Sequence, residues 1–485
     1  MKRNLTTLTD LYQLTMMYGY FKEGIADREA VFDLFFRKSG WESEYAIFAG
    51  LDQVIDLIKD LKFDDGNIEY LRSTKLFDED FLKYLSEFSF HGEIYAMPEG
   101  SVVFPSEPMI RVKANMCEAQ LIETAMLNII NHQTLIATKA SRVVRAAGSE
   151  DTVMEFGLRR AQGPDAGLYG ARAAIIGGCT STSNVLACQM FGLKCAGTHA
   201  HSWVMSFPTE IDAFRAYART YPDACMLLVD TYDTLKSGVP NAIKVFDELR
   251  AEGHEPIGIR LDSGDLAYLS KEARKMLDEA GYEKTIICAS SDLDENIIND
   301  LKMQGAKINS WGVGTKLITC DDHPALGGVY KLAAREDDNG ELTPKIKLSD
   351  TAIKITNPGY KKVVRLYSKK TGKALADLIM FADEVIDDTQ PLTITHPTET
   401  WKKVTLRNFF AKELLVPVFI NGECVYESPA VTEIRAYAAA ELDTFWDEYK
   451  RFSRPHIYKV DLSDKLLEMK NKMISELRQT PYDVG

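Results

Sequence analysis

The chain has 485 residues, 45% of them apolar and 26% charged, with a formal net charge of −14 at pH 7. Such a length exceeds one ordinary hydrophobic core, and such a composition excludes a mainly disordered chain. The acidic balance excludes a general nucleic-acid or anionic-membrane binder, so any anionic metabolite must be met by a local cluster of Arg, Lys and backbone N–H groups.

Met1 to Phe21 carries Lys2 and Arg3, but Thr, Asp and Gln interrupt any apolar run, and it does not read as a signal peptide. The apolar stretch Leu414 to Ile420 is too short to span a bilayer, and a cytoplasmic location is expected. The eight cysteines contain no CxxC pair, so each is expected to be an unpaired, small buried hydrophobe in a reducing compartment.

In chain order, Thr9 is expected to cap a helix through Gly19, followed by a strand at Ala30–Phe36. Leu51, Val54, Ile55, Ile58 and Leu61 recur at helical spacing. Glu93 to Lys113 reads as short strands broken by Pro98, Pro105 and Pro108, and a long helix is expected from Glu118 to about Ala147. From about Val153 the pattern changes: strands at Met226–Asp230, Pro256–Asp262, Thr285–Ala289 and Ile308–Gly314 alternate with helices at Ala242–Glu252, Leu266–Ala280 and Glu295–Gln304. Strands separated by helices in this way are βα units of a parallel sheet. No GxGxxG loop follows any of them, which favours a barrel over an open dinucleotide-binding sheet. After about Lys362 the alternation ends in hairpins, one turning at Asn421-Gly422, and in closing helices. The expected architecture is α/β: a mixed α/β domain over 1–150, an irregular parallel β/α barrel over 151–345, and a C-terminal α+β domain over 362–485.

In a barrel the working groups lie in the loops after the strands. Those loops read Phe156 to Arg160, Gly197 to Ser202, Arg260 to Asp265, Ser290-Ser291-Asp292 and Gly312 to Thr315. Gly312-Val313-Gly314-Thr315 suits phosphate, because bare backbone N–H groups approach oxygens closely, although such a run is also a common tight turn. Ser290-Ser291-Asp292 serves either a ligand or the N-cap of the helix from Glu295. Asp262 and Asp265 bracket a turn in which one acid could cap the next helix, while Arg260 and Asp262 suit phosphate, ribose hydroxyls or water around Mg²⁺. His199 and His201 share one loop, and chemistry alone does not choose between them.

Taken together with Leu8 to Gln13, Glu155 to Pro164, Thr182-Ser183-Asn184 and Gly327 to Leu332, these peptides resemble the nicotinate phosphoribosyltransferase family of type II phosphoribosyltransferases. The resemblance is close over the first two-thirds of the chain. It implies transfer of the phosphoribosyl group of phosphoribosyl pyrophosphate to nicotinate, with release of pyrophosphate and coupling to ATP hydrolysis. It further implies Mg²⁺, and a homodimer in which Tyr12 of one subunit and Phe156 of the other sandwich the nicotinate ring. Arg159, Thr198 and Thr182 would complete the nicotinate site. Arg260, Asp262, Ser290, Ser291, Gly314 and Thr315 would hold phosphoribosyl pyrophosphate, and His201 would be the phosphorylated histidine. Nicotinamide-using relatives carry an acid near Thr182, whereas this chain has Thr180-Ser181-Thr182-Ser183, hydroxyls that suit a carboxylate. The rival reading is a phosphate-binding aldolase or isomerase with Lys316 as Schiff-base lysine; a non-catalytic metabolite-binding protein is a third.

Overall fold

The computed structural model describes residues 3–351, 354–396, 399 and 401–478. Contacts divide the chain into two compact units, one of Met1–Leu135, Ala325–Pro429 and Tyr437–Gly485, the other of Ile136–Pro324 with Ala430–Ala436. Among the described residues no helix is long and apolar enough to cross a membrane.

The first unit is built on two large sheets and a two-stranded one, Ala46–Ile47 with Val102–Val103. One has seven strands, all antiparallel neighbours, with Glu29–Phe36 in its interior between Gly328–Glu336 and the central strand Ile110–Asn115. The strand Glu29–Phe36 is buried along nearly its whole length, as an apolar run covered on both faces must be. The hairpin at Asn421-Gly422 is present, both residues taking positive φ of 51° and 79°, and its first strand Val416–Ile420 pairs with Glu93–Ala96. The other large sheet is mixed and six-stranded, with the hairpin Lys361–Ser368 and Ala374–Phe381 at its core. Between these elements lies a buried ionic cluster. The Arg365 guanidinium donates to both oxygens of Asp377, at 2.8 and 2.7 Å, to Glu441 at 3.0 Å and to the Val102 carbonyl at 2.7 Å.

Glu107 sits fully buried in the same cluster, and its carboxyl is pushed well above the ordinary Glu value, first by burial and then by the neighbouring Asp377 carboxylate. An acid raised in the folded state supports folding below its ordinary pKa and loses that contribution as pH rises toward the raised value. Glu107→Gln, neutral at every pH, is therefore expected to differ little in stability from wild type below about pH 4 and to gain on it steadily above about pH 5. Denaturant midpoints of the two proteins across pH measure this; parallel curves would refute it.

The second unit holds the parallel sheet expected from the βα pattern. We number its strands β1 (Thr152–Glu155), β2 (Ser181–Thr182), β3 (Met226–Leu228), β4 (Gly258–Leu261), β5 (Ile286–Ala289) and β6 (Ser310–Val313). Their order is β2-β1-β6-β5-β4-β3, every neighbouring pair parallel. Read around a ring, that order is sequential, but β2 and β3 do not pair, so the backbone ladder expected of a closed barrel is not completed. The segment Cys195–His199 occupies the gap instead. Ala196 N–H donates to the Thr182 carbonyl at 3.0 Å on one side, and Leu228 N–H donates to His199 Nε2 at 3.2 Å on the other.

Local readings shift in four places. The first helix is Leu11–Lys22 with Asp10 at its N-cap, so Thr9 is not the cap; its hydroxyl faces the Leu121 carbonyl. The long helix is broken at Ile122 into Met116–Leu121 and Glu123–Ala147. The closing helical stretch from Val431 is likewise two helices, Val431–Asp443 and Asp447–Lys450. Finally, two cysteines are paired. The helix Val185–Phe191 ends at Gly192 in the left-handed region, the chain reverses, and Cys188 and Cys195 come together as a disulfide with Cα atoms 5.8 Å apart. Of the other six, five are buried, and burial raises thiols such as Cys117 to about 12 and Cys288 to about 11.

Candidate active site

The carboxyl ends of β1, β2, β4, β5 and β6, with the segment Gly197–His201, converge on one cleft of about 560 Å³. Phe156, Arg159, Thr198, His201, Arg260, Asp262, Ser290, Ser291, Gly314 and Thr315 all line it. Strand ends meet on one face because parallel strands all point one way, and helices carry the chain back outside.

After β1 the chain turns at Phe156-Gly157. Buried Glu155 braces that turn, its carboxylate accepting the Gly157 N–H and, at 2.6 Å, the Thr182 hydroxyl. Gly312 then allows the ring to lie down: a Cβ there would stand 2.6 Å from Phe156 Cδ2. Arg159 and Arg160 follow in a short 3₁₀ turn, both exposed and without an ion-pair partner among the described residues. They offer free cations to an anionic ligand.

Arg260 at the end of β4 is the hub of the cleft floor. Its guanidinium donates to Thr198 Oγ1 at 2.6 Å, Ser290 Oγ at 3.0 Å and Asp262 Oδ1 at 3.2 Å, while Ser290 also donates to Asp262. Ser291 and Asp292 hold positive φ of 98° and 32°, a conformation that few non-glycine residues adopt and that clusters at ligand sites. The capping alternative for this loop does not hold, because Asp294 caps the helix from Glu295 by accepting Ile297 N–H at 2.8 Å. Asp265, by contrast, caps its helix by accepting Tyr268 N–H at 2.9 Å, which leaves Asp262 as the acid that this loop gives to the cleft. Gly314-Thr315 opens the short helix Thr315–Ile318.

The two histidines occupy different environments. His199 is 8% exposed, its Nε2 accepts Leu228 N–H, its Nδ1 faces the Ala200 carbonyl at 3.4 Å, and Tyr217 packs edge-on against it at 4.7 Å. Burial lowers its pKa to about 4, so it is neutral and both ring nitrogens are engaged. His201 starts the helix His201–Met205 with its side chain 38% exposed to the cleft, and its Nε2 lies 3.2 Å from Asp230 Oδ1. Asp230, beyond the end of β3, is a residue that sequence reasoning passed over. Its other oxygen accepts Asp262 N–H at 2.9 Å and the Ser263 hydroxyl at 2.6 Å, so one buried carboxylate orients the cleft residues His201 and Asp262 and holds Ser263 beside them. An acid at the end of a sheet strand was the signal, the same that marked Asp262.

Residues 7–131 match the nicotinate phosphoribosyltransferase (NAPRTase) N-terminal domain, 152–333 the nicotinate phosphoribosyltransferase (NAPRTase) family, and 360–470 the nicotinate phosphoribosyltransferase C-terminal domain. The chain is 48% identical to nicotinate phosphoribosyltransferase of Bacillus subtilis (strain 168), over 98% of this chain and 96% of the relative. It belongs to the nicotinate phosphoribosyltransferase family. The crystal structure of human nicotinic acid phosphoribosyltransferase superposes with a TM-score of 0.85 at 32% identity, over 96% of this chain and 99% of that one. Nicotinate-nucleotide pyrophosphorylase from Pyrococcus furiosus shares the fold, with a TM-score of 0.70 at 22% identity over 92% of this chain and 99% of its own.

Two residues proposed for this family's nicotinate site lie elsewhere than the cleft lining. Thr182 is fully buried, its hydroxyl donating to Glu155 and accepting Asn184 N–H at 3.0 Å. Of the four hydroxyls in that run, Ser183 is the one at the cleft. Tyr12 belongs to the first unit, on the helix Leu11–Lys22, with about half its surface exposed. Lys316, the Schiff-base candidate of the rival reading, is ion-paired to Asp294 at 2.7 Å, which raises its pKa and keeps it a charged, non-nucleophilic ammonium. Among the described residues no group of three or more His, Cys, Asp or Glu could hold a metal ion.

Proposed function

We propose that this cleft joins nicotinate to the anomeric carbon of phosphoribosyl pyrophosphate, releasing pyrophosphate, and that ATP hydrolysis is coupled to the reaction through a phosphohistidine at His201. The observation that carries the coupling is the pair of histidine environments. With Nε2–H donating to Asp230, the lone pair of His201 resides on Nδ1, which makes no hydrogen bond among the described residues, on a side chain that lines the cleft. Nδ1 can then attack the γ-phosphorus of ATP, ADP departing as the P–N bond forms, while the engaged nitrogens of His199 cannot.

Phe156 offers one face for the electron-poor pyridine ring, and Arg159 with Ser183 suits its carboxylate. Arg260, Ser290, Ser291 and Gly314-Thr315 suit the phosphate and pyrophosphate oxygens, and Asp262 suits the ribose hydroxyls. Charge separation in the oxocarbenium-like transition state is what these groups would stabilise. The chemistry fits Mg²⁺ arriving with its phosphorylated substrate: Mg²⁺ keeps waters and needs only one or two protein carboxylates, and Asp262 Oδ2 makes no hydrogen bond among the described residues. When bound, the ion would neutralise pyrophosphate oxygens. We further propose a cytoplasmic homodimer in which Tyr12 of the partner subunit covers the other face of nicotinate, and in which the parallel strands form a barrel open at β2 and β3. Exposed apolar side chains support a partner: Leu11 and Tyr12 on the first unit, and Leu158, Val185, Leu186, Met190 and Met205 on the second.

Incubation with γ-labelled ATP should give an acid-labile, alkali-stable adduct in wild type and none in His201→Ala. His199→Gln, where the amide replaces the acceptor of Leu228 N–H, should retain label. Label in His201→Ala that vanishes in His199→Gln would overturn the assignment. Substrate choice gives a separate test at Ser183. Ser183→Asp should lower kcat/KM for nicotinate by about 10- to 100-fold and raise nicotinamide use, since a carboxylate repels the acid and accepts the amide. Unchanged selectivity would remove Ser183 from the ring site.

A further inference from the structure

The first unit carries a separate cavity of about 420 Å³, lined by none of the residues of the catalytic cleft. Its walls are the two large sheets and the helix Asp464–Arg478, with Asp33, Lys331, Lys361 and Lys470 all facing the space. Three ammonium groups therefore share it with one carboxylate. Lys361 and Asp33 are both buried and satisfy one another, Nζ to Oδ2 at 2.8 Å, with Nζ also donating to the Gly359 carbonyl at 2.6 Å.

The other two lysines have only neutral acceptors. Lys470 donates to Asn357 Oδ1 at 2.8 Å and Lys331 to the Tyr330 carbonyl at 2.8 Å, and neither has an ion-pair partner among the described residues. Burial, and then the charge of Lys361, lowers Lys470 to about 8, and burial lowers Lys331 as well. Glu123 acts on Lys331 through space, but Arg37 and Lys347 oppose it, so these cations are short of counter-charge. Asp33 is 3% exposed, and its Oδ1 has no hydrogen-bond partner among the described residues. Ser106 on the same wall holds a φ of 73°, in the left-handed region. An excess of two positive charges, an orphaned buried acceptor and a strained wall residue thus meet in one cavity of small-molecule size.

We propose that this cavity binds a small phosphate monoester bearing a hydroxyl group, with Lys331 and Lys470 on the phosphate oxygens and Asp33 Oδ1 accepting a hydrogen bond from the hydroxyl. A monoester carries close to two negative charges at neutral pH, which matches the two uncompensated ammonium groups. The hydroxyl gives Asp33 Oδ1 the donor that the protein does not supply.

Glycerol 3-phosphate is a suitable probe, titrated calorimetrically into the full-length protein and compared with inorganic phosphate. One site per chain should survive in the cleft variant Arg260→Gln. Lys470→Met and Lys331→Met should each weaken that site by about tenfold or more, the scale of losing one charged hydrogen bond, and Lys470→Arg should restore most of the affinity. Both lysines are partly exposed, and a thermal unfolding midpoint checks that each variant folds; the Arg variant carries the comparison if a Met variant does not. Affinity unchanged in both Met variants would overturn the proposal. So would loss of the site in Arg260→Gln, which would place the probe in the catalytic cleft. Equal affinity for inorganic phosphate would overturn the role given to Asp33.

Discussion

Asp230→Asn is expected to slow phosphorylation of His201 by about 10³- to 10⁴-fold, the cost of presenting the wrong imidazole tautomer. Asp230 Oδ2 receives two donors, Asp262 N–H and the Ser263 hydroxyl, so the single oxygen of an Asn must stay there. Its NH₂ then faces His201 Nε2, which must become the acceptor and move the proton to Nδ1. The ring remains in place, but its lone pair points at the protein instead of the cleft. Because Asp262 keeps its backbone partner, pyrophosphate release without ATP should stay within about threefold of wild type, less than the tenfold that 1.4 kcal/mol would produce. Labelling rates from γ-labelled ATP read the first quantity. A loss of less than about tenfold would mean that Asp230 does not set the tautomer.

The largest effect on stability is expected at Arg365. Arg365 and Asp377 are fully buried and Glu441 is 7% exposed, so removing the guanidinium strands Asp377 away from water and leaves Glu441 only its longer ion pair to Lys412 at 3.5 Å. Arg365→Leu should destabilise the first unit by about 3–5 kcal/mol, the usual cost of leaving one side of a buried ion pair uncompensated. Replacing all three residues by apolar ones of similar volume should recover most of that loss, because the penalty lies in the stranded charge and not in the missing attraction. Urea midpoints measure both. A single mutant as stable as wild type would show that the cluster carries no such strain.

Much of the second unit is legible from local pattern. The strands β3 to β6 lie in short, mostly apolar runs closed by polar residues, whereas β2 is Ser181-Thr182, and cleft residues follow such runs because direction along the chain and direction across a parallel sheet coincide. Asp230 escaped because it follows an apolar run without a second charged neighbour such as Arg260 gives Asp262. The burial of Thr182 escaped because the side of a two-residue strand that faces in depends on Glu155, a partner from the preceding strand. The disulfide depended on a chain reversal at Gly192, which residue spacing alone does not encode. The pairing of Val416–Ile420 with Glu93–Ala96 joins segments more than 300 residues apart, and no local periodicity specifies which distant edge a strand will choose.

The most direct measurement of the central claim is pyrophosphate release from phosphoribosyl pyrophosphate, with nicotinate, nicotinamide or quinolinate as acceptor, each with and without ATP. A cleft offering one aromatic face, free arginines and Ser183, with no acid among its ring-side residues, should turn over with nicotinate at a kcat/KM at least about 100-fold above the other two, and ATP should increase the rate. Equal use of nicotinamide, or preference for quinolinate, would contradict the assignment of the ring site; a rate indifferent to ATP, with no label on His201, would contradict the coupling.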